Sequence, residues 1–225
     1  MEKVGIIGYG NMGRAIAERI KEKYAVCVFD KENTKIAALK NITAAGTPGQ
    51  LVKESAIIIL AVKPQDFDTL LDEIKTFAQD KLIITIAAGI TTKYIKGRLG
   101  EKTRIIRVMP NMPAQINRGI SVLFKDKYAT EKELDLAWQL AWQIFSYFGS
   151  ELIVDNEEMI NAATAISGSG PAFFCYRIKE KTNAEKKRDE FIKELAEAAE
   201  HLNFDKSEAK LLSVYVIAPA PVLVI

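Results

Sequence analysis

The segment Val4 to Gly13, VGIIGYGNMG, constrains this chain more than any other stretch. A β-branched run, Val4 to Ile7, leads directly into Gly8-Tyr9-Gly10-Asn11-Met12-Gly13, after which residues 12–23 carry Met12, Ile16 and Ile20 at helical spacing. Each glycine meets a demand of a strand-turn-helix unit that approaches a phosphate. Gly8 permits the tight turn, Gly10 lets a pyrophosphate near the backbone, and Gly13 allows close packing of helix on strand. The helix start adds free N–H groups and the positive end of a dipole. Gly8, Tyr9, Gly10, Asn11, Met12 and Gly13 are therefore candidate dinucleotide-binding residues.

The following hundred residues suit that reading. Ala25 to Phe29 reads as a second strand, and Ile57 to Val62 and Leu82 to Ala87 are continuous apolar runs, the pattern of parallel strands covered by helices on both faces. Further strands are expected at Arg104 to Met109, Ile120 to Phe124 and Glu151 to Val154. The last two flank a helix opened by a Thr130/Glu133 capping box, striped by Leu134, Ala137, Trp138, Ala141, Phe145 and Phe148, and stopped by Gly149. Trp138 and Trp142 read as packing residues. The expected fold is α/β, a Rossmann-type doubly wound, mostly parallel sheet followed by a smaller all-helical domain. From residue 156 the pattern changes to a helical stretch, Asn156 to Ala165, interrupted by the glycine-rich Ser167-Gly168-Ser169-Gly170-Pro171, then a charged helical region to about Leu212. The expected division is residues 1–157 for NAD(P) binding and 158–225 for the helical part.

Composition excludes other classes. With 48% hydrophobic and 27% charged residues the chain can build a core, so whole-chain disorder is excluded. Lys plus Arg (31) nearly balances Asp plus Glu (29), net +2, too even for a chain that works on nucleic acid or on anionic membranes. Residues 177–210 repeat that balance, nine basic against nine acidic, around an apolar face of Phe191, Leu195, Ala198, Ala199 and Leu202. Val214 to Ile225 is apolar apart from Tyr215, too short to span a bilayer, and barred from a helix by Pro219 and Pro221; packing in a dimer or against the nucleotide domain is expected for it. The N-terminus runs into a strand without a cleavable signal pattern, so the cytoplasm is the expected compartment. Cys27 and Cys175 read as reduced core residues and His201 as a surface residue; no metal site is expected.

Asp30 lies 22 residues after Gly8 at the end of the second strand, where a carboxylate accepts hydrogen bonds from the adenine ribose. That favours NAD. Lys31, Asn33, Thr34 and Lys35 follow at once and offer a site for a 2′-phosphate, so the cofactor is NADP(H) or NAD(H). Ala61-Val62-Lys63-Pro64 and Ala87-Ala88-Gly89 fall at carboxyl ends of strands, where open α/β sheets bind ligands, and are further cofactor candidates.

Two segments are less generic: RVMPNMP (Arg107 to Pro113) and TAISGSGPAFF (Thr164 to Phe174). With GYGNMG, AVKP and AAG before them, in that order, the chain resembles the pyrroline-5-carboxylate reductase family over residues 1–175. The resemblance implies NAD(P)H-dependent reduction of 1-pyrroline-5-carboxylate to L-proline, a helical dimerisation domain, and a homodimer or higher oligomer formed through the C-terminal helices. It also implies a nicotinamide pocket lined by AVKP, AAG and MPN, and with it Asn111. Hydride transfer to a cyclic imine needs no nucleophile or metal from the protein. Within that reading Ser167, Gly168, Ser169 and Gly170 offer hydroxyls and backbone N–H groups to a substrate carboxylate, and Thr164 is the catalytic candidate, placing a hydroxyl near the imine. The chain departs from the family in the charged stretch 175–190 and in lacking the Ser-Pro-Gly-Gly-Thr type loop that family members carry further on. A relative acting on another imine or a hydroxy acid, and a nucleotide-binding protein incomplete for catalysis, are the alternatives.

Overall fold

The computed structural model describes residues 3–37, 39–111, 120–145, 150–177, 184–214 and 216. Two compact units emerge. The first comprises residues 1–108 and 125–144, the second 109–124 and 145–225, the chain passing between them at 108/109, 124/125 and 144/145. The expected 157/158 division follows the change in composition; the contact grouping instead assigns residues 109–124 and 145–157 to the unit that holds the later helices.

The first unit is a parallel sheet. Its strands are β1 (Lys3–Ile7), β2 (Ala25–Phe29), β3 (Thr43–Ala44), β4 (Ile57–Leu60), β5 (Leu82–Thr85) and β6 (Arg104–Pro110), side by side in the order β3-β2-β1-β4-β5-β6. Val4 pairs with Val26 on one side and Ile57 on the other, Leu60 with Thr85, and Thr85 with Arg107, every pairing parallel. The runs Ile57–Leu60 and Leu82–Thr85 are buried at every position, as strands covered on both faces must be. Helices α1 (Asn11–Ile20), α2 (Pro48–Glu54), α3 (Phe67–Ile74) and α4 (Thr92–Leu99) connect the strands. Leu51, Phe67 and Leu71 from the helices pack with Ile58, Leu60 and Ile83 from the sheet in one cluster. Caps are set locally: Thr47 accepts from Gln50 N and is followed by Pro48, and Thr91 accepts from Tyr94 N. Between α4 and the start of α5 (Glu131–Phe145), Lys96 Nζ lies 2.5 Å from the Asp126 carboxylate and 4.7 Å from the Tyr128 ring centre, a buried ion pair. The Thr130/Glu133 capping box forms as expected, with Thr130 N donating to Glu133 Oε2 at 2.8 Å and Glu133 N to Thr130 Oγ1 at 3.2 Å. Leu134 and Ala137 are buried; the side chains of Trp138, Ala141, Trp142, Phe145 and Phe148, and Gly149, lie outside the described residues.

In the second unit β7 (Ile120–Lys125) and β8 (Ser150–Val154) pair in parallel, and α6 (Glu158–Ala163), α7 (Gly170–Arg177), α8 (Ala184–His201) and α9 (Lys206–Val214) follow. Ile120, Val154, Ile160, Phe174, Leu195 and Leu212 share its core. Of the expected apolar face on α8, Phe191, Leu195 and Ala199 are buried, whereas Ala198 is exposed and Leu202 is 40% exposed. Strict i, i+4, i+8 spacing keeps three residues on one face, and Phe204, beyond the helix end, is buried in the same core. Cys27 is buried as expected, but Cys175 is exposed, because Phe174 takes the inward position on α7 and its neighbour is turned about 100° away. His201 is exposed, its Nδ1 2.7 Å from Glu197 O. Of the apolar C-terminal stretch only Val214 and Val216 are described; Val216 is buried in this core against Gly170. Among the described residues no helix is long and apolar enough to cross a membrane, and no group of three acidic, His or Cys side chains is placed to hold a metal ion.

Candidate functional site

The strand order reverses at β1 and β4, which neighbour each other while their chains continue to opposite sides of the sheet. Crevices at the carboxyl ends of such strands are where doubly wound sheets hold ligands. Here the turn after β1 meets the turn after β4 with no room for side chains. Gly8 has φ +101°, and a Cβ there would lie 2.6 Å from Ala61 O. A Cβ on Gly13 would lie 1.9 Å from Gly8 O, so α1 starts in contact with the turn. Gly10 differs: a Cβ there meets nothing within 4 Å, so the N-cap of α1 faces open space. It has no side-chain cap, and the first turn of the helix carries no acidic residue. An uncapped helix start facing a void fits an anion that approaches the backbone.

Gly10 lines a cleft of ≈ 360 Å³ within the first unit. Of the sequence candidates, Gly8, Gly10, Asp30, Lys31, Ala61, Val62 and Lys63 line it. Asn11, Met12 and Gly13 form the first turn of α1, and Pro64 opens the turn after β4; none of these four lines the cleft. Ala87, Ala88 and Gly89 follow β5 at its carboxyl end, outside the cleft wall, with Gly89 at φ +73°. The Tyr9 side chain turns inward, 5% exposed, and its hydroxyl donates to Glu18 at 3.2 Å. Burial, with Glu18 beside it, pushes that phenol up, while a hydrogen bond from Lys21 holds the Glu18 carboxyl below its ordinary range.

Asp30 does more than the sequence indicates. Gly8 N donates to Phe29 O at 2.8 Å, extending the parallel ladder past the strands, and the next rung is made by a side chain, with Tyr9 N donating to Asp30 Oδ2 at 2.6 Å. The other oxygen accepts from Glu32 N at 2.9 Å. The carboxylate, in a residue 7% exposed, thus ties the glycine turn to the end of β2 while still lining the cleft. Lys31 Nζ donates to Asp66 Oδ1 at 2.8 Å, and Lys35 Nζ to Glu32 Oε1 at 2.8 Å. These bonds raise both lysines above their ordinary value, so both stay charged. Glu32, Asp66, Gln65 and Thr69 also line the cleft and were not among the sequence candidates. Glu32 and Asp66 had one available signal, an acid beside each lysine-bearing turn, but pairing across 35 residues is set by the fold.

The remaining candidates belong to the second unit. Asn111 is 3% exposed, and its Oδ1 accepts from Ile120 N at 3.0 Å, holding the end of β6 to the start of β7; Met112 and Pro113 lie outside the described residues. The SGSGP segment is a correction. Expected as a glycine-rich interruption, it continues the helix as a π-turn, Thr164–Gly168, into α7. Ser169 closes that turn by donating both N (2.9 Å) and Oγ (3.1 Å) to Thr164 O. Thr164 Oγ1 donates to Ile160 O at 2.7 Å, and Ser167 Oγ, on a fully buried residue, donates to Ala163 O at 3.0 Å. The three hydroxyl protons and the Ser169 N–H are therefore committed to the helix, contrary to the expectation of free donors. The cause is local: small residues wound one residue wider than an α-turn leave carbonyls that hydroxyls satisfy. Gly168 and Gly170 complete the segment; a Cβ on Gly170 would lie 2.6 Å from Val216 Cγ1.

A glycine turn at the switch point of a doubly wound parallel sheet, facing a cleft with a carboxylate at the end of the second strand, defines a dinucleotide-binding domain of Rossmann type. Residues 3–89 match the family model described as NADP oxidoreductase, coenzyme F420-dependent. The chain is 35% identical to the pyrroline-5-carboxylate reductase of Methanosarcina acetivorans over 181 residues, 76% of this chain and 65% of that protein. It is 32% identical to that of Schizosaccharomyces pombe over 203 residues, 79% of this chain and 70% of the relative. The solved structure of a pyrroline-5-carboxylate reductase from Coxiella burnetii superposes with a TM-score of 0.71 at 28% identity, covering 94% of this chain and 75% of that one. The chain belongs to the pyrroline-5-carboxylate reductase family. It spans about two thirds of the length of the Methanosarcina relative.

Proposed function

We propose that this protein reduces 1-pyrroline-5-carboxylate to L-proline with NADPH or NADH, in the cytoplasm. The observation that carries the reading is the open void at Gly10, closed in by Gly8 against Ala61 and by Gly13 against Gly8, in a chain with this kinship. A bound nicotinamide supplies the hydride. The chain's own part is binding and orientation. The backbone of Gly8 to Gly13 and the start of α1 hold the pyrophosphate, Asp30 holds the adenine ribose, and Lys63, which makes no ion pair among the described residues, adds positive charge to the cleft. Ala61 to Pro64 and Ala87 to Gly89, at the carboxyl ends of β4 and β5, form the nicotinamide side.

In the second unit Ser167 to Gly170 shape the place of the substrate and Thr164 is the catalytic residue. Because its proton is committed to Ile160 O, the Thr164 hydroxyl offers lone pairs and accepts from the N–H of a protonated imine, the form that takes hydride most readily. We further propose residues 1–157 as the cofactor-binding part and 158–225 as a dimerisation part. Phe173 at 58% exposure and Leu202 and Val214 at 40% leave apolar surface on these helices for a second copy.

The test is spectrophotometric oxidation of NADH and NADPH in the presence of pyrroline-5-carboxylate, with cofactor binding titrated alongside. Turnover is expected, and Thr164→Val should lower kcat by about 10²-fold while leaving cofactor affinity intact. Cofactor binding without turnover in the wild type overturns the reductase reading.

A further inference from the structure

Resting on the reading of the cleft as a dinucleotide site, we infer that it selects NADH over NADPH, and that Glu32 and Asp66 enforce the choice by occupying Lys35 and Lys31, the two lysines that follow Asp30 in the chain. The matched family description names NADP, but the residues of this cleft are arranged otherwise.

A 2′-phosphate needs cations or donors free to receive it; a 2′-hydroxyl needs an acceptor. Asp30 supplies the acceptor. Each of its oxygens already takes one N–H, from Tyr9 and from Glu32, and each retains a lone pair for a ribose hydroxyl. A phosphate dianion has no proton to donate there and meets the carboxylate as a like charge. Lys31 and Lys35 are the residues that would offset this repulsion, and both are engaged. Lys31 is held by Asp66 at 2.8 Å, and Lys35 by Glu32 at 2.8 Å, with Asp30 Oδ1 at 3.9 Å. Both partner carboxylates line the cleft themselves, so a phosphate that drew either lysine away would leave an unpaired carboxylate beside it. Over the whole wall four carboxylates (Asp30, Glu32, Asp66, Glu73) stand against three lysines (Lys31, Lys35, Lys63), a net negative lining.

The side chains concerned are partly solvated, Glu32 at 57% exposure and Asp66 at 31%, so the discrimination is moderate and weakens with salt. The same exposure makes isosteric replacement compatible with the fold.

The test is equilibrium titration of NADH and of NADPH into the full chain at low and high salt, for the wild type and for Glu32→Gln combined with Asp66→Asn. The wild type should bind NADH about tenfold more tightly than NADPH, and the double variant should gain about tenfold in NADPH affinity with NADH changed by less than about twofold. A wild type that binds NADPH as tightly as NADH, or a double variant with an unchanged ratio, overturns the selection. Failure of both dinucleotides to bind overturns the cleft reading beneath it as well.

Discussion

Gly13→Ala and Gly10→Ala separate what the glycine turn does for folding from what it does for binding. At Gly13 the added methyl would lie 1.9 Å from Gly8 O and 3.4 Å from Ala61 Cβ. Carbon-oxygen contacts settle at about 3.3 Å or more, so α1 or the Gly8 peptide must move by more than about 1 Å. Overpacking of this kind costs about 1–3 kcal/mol, at the upper end here because the obstacle is backbone. Alanine returns about 1 kcal/mol through its better helix propensity. The net expected loss is about 2 kcal/mol, or about 4–8 °C in Tm for a chain of this size, together with weakened cofactor binding. At Gly10 the methyl meets nothing within 4 Å and the backbone, at φ −74° and ψ −166°, is open to any residue. Stability should change by no more than about 1 kcal/mol, the difference between glycine and alanine at an N-cap. The methyl does stand in the void that a pyrophosphate must enter, so affinity for either dinucleotide should fall at least about tenfold. Urea denaturation and cofactor titration on the two variants read both quantities. A Gly13→Ala protein of wild-type stability, or a Gly10→Ala protein that binds cofactor normally, would refute the steric argument.

Two further perturbations test the frame around the site. Lys96→Met leaves the buried Asp126 carboxylate without its cation and should cost about 3 kcal/mol in urea denaturation, part of it recovered in Lys96→Met/Asp126→Asn; a single variant as stable as the double would show that the pair is not coupled. Asp205 caps α9, accepting from Glu208 N, Ser207 N and Ser207 Oγ, and these bonds, that from Glu208 N foremost, hold its carboxyl below the ordinary 3.8. A lowered folded value means that the cap's contribution is complete above about pH 4 and fades as the pH drops through the lowered value. Amide protection factors over residues 207–214, corrected for the intrinsic pH dependence of exchange, should therefore fall in acid more for the wild type than for Asp205→Ala, and parallel profiles for the two would remove the cap from the account.

Much of the nucleotide unit was legible because its signals are short in range. Three glycines, one acid at the end of β2 and uninterrupted apolar runs act within a few residues of one another, and the parallel sheet follows from burial on both faces. The switch-point crevice followed from the same pattern. The SGSGP segment is not legible in this way, because glycine and serine read as a break along the chain, whereas in the fold the hydroxyls satisfy the carbonyls of a wider helical turn. Nor is the place of Cys175, because an apolar neighbourhood along the chain does not say which side of a helix faces inward; Phe174 takes that place.

The class of fold, the position of the glycine turn and the choice of Asp30 are written in the residue order, since each depends on backbone sterics and on residues close along the chain. What the neighbouring charges do is settled by the folded arrangement. Lys31 could have faced a phosphate until the fold brought Asp66, 35 residues away, to within 2.8 Å of it. A lysine's role depends on the charge beside it, and charges meet through space, which a linear order of residues does not encode.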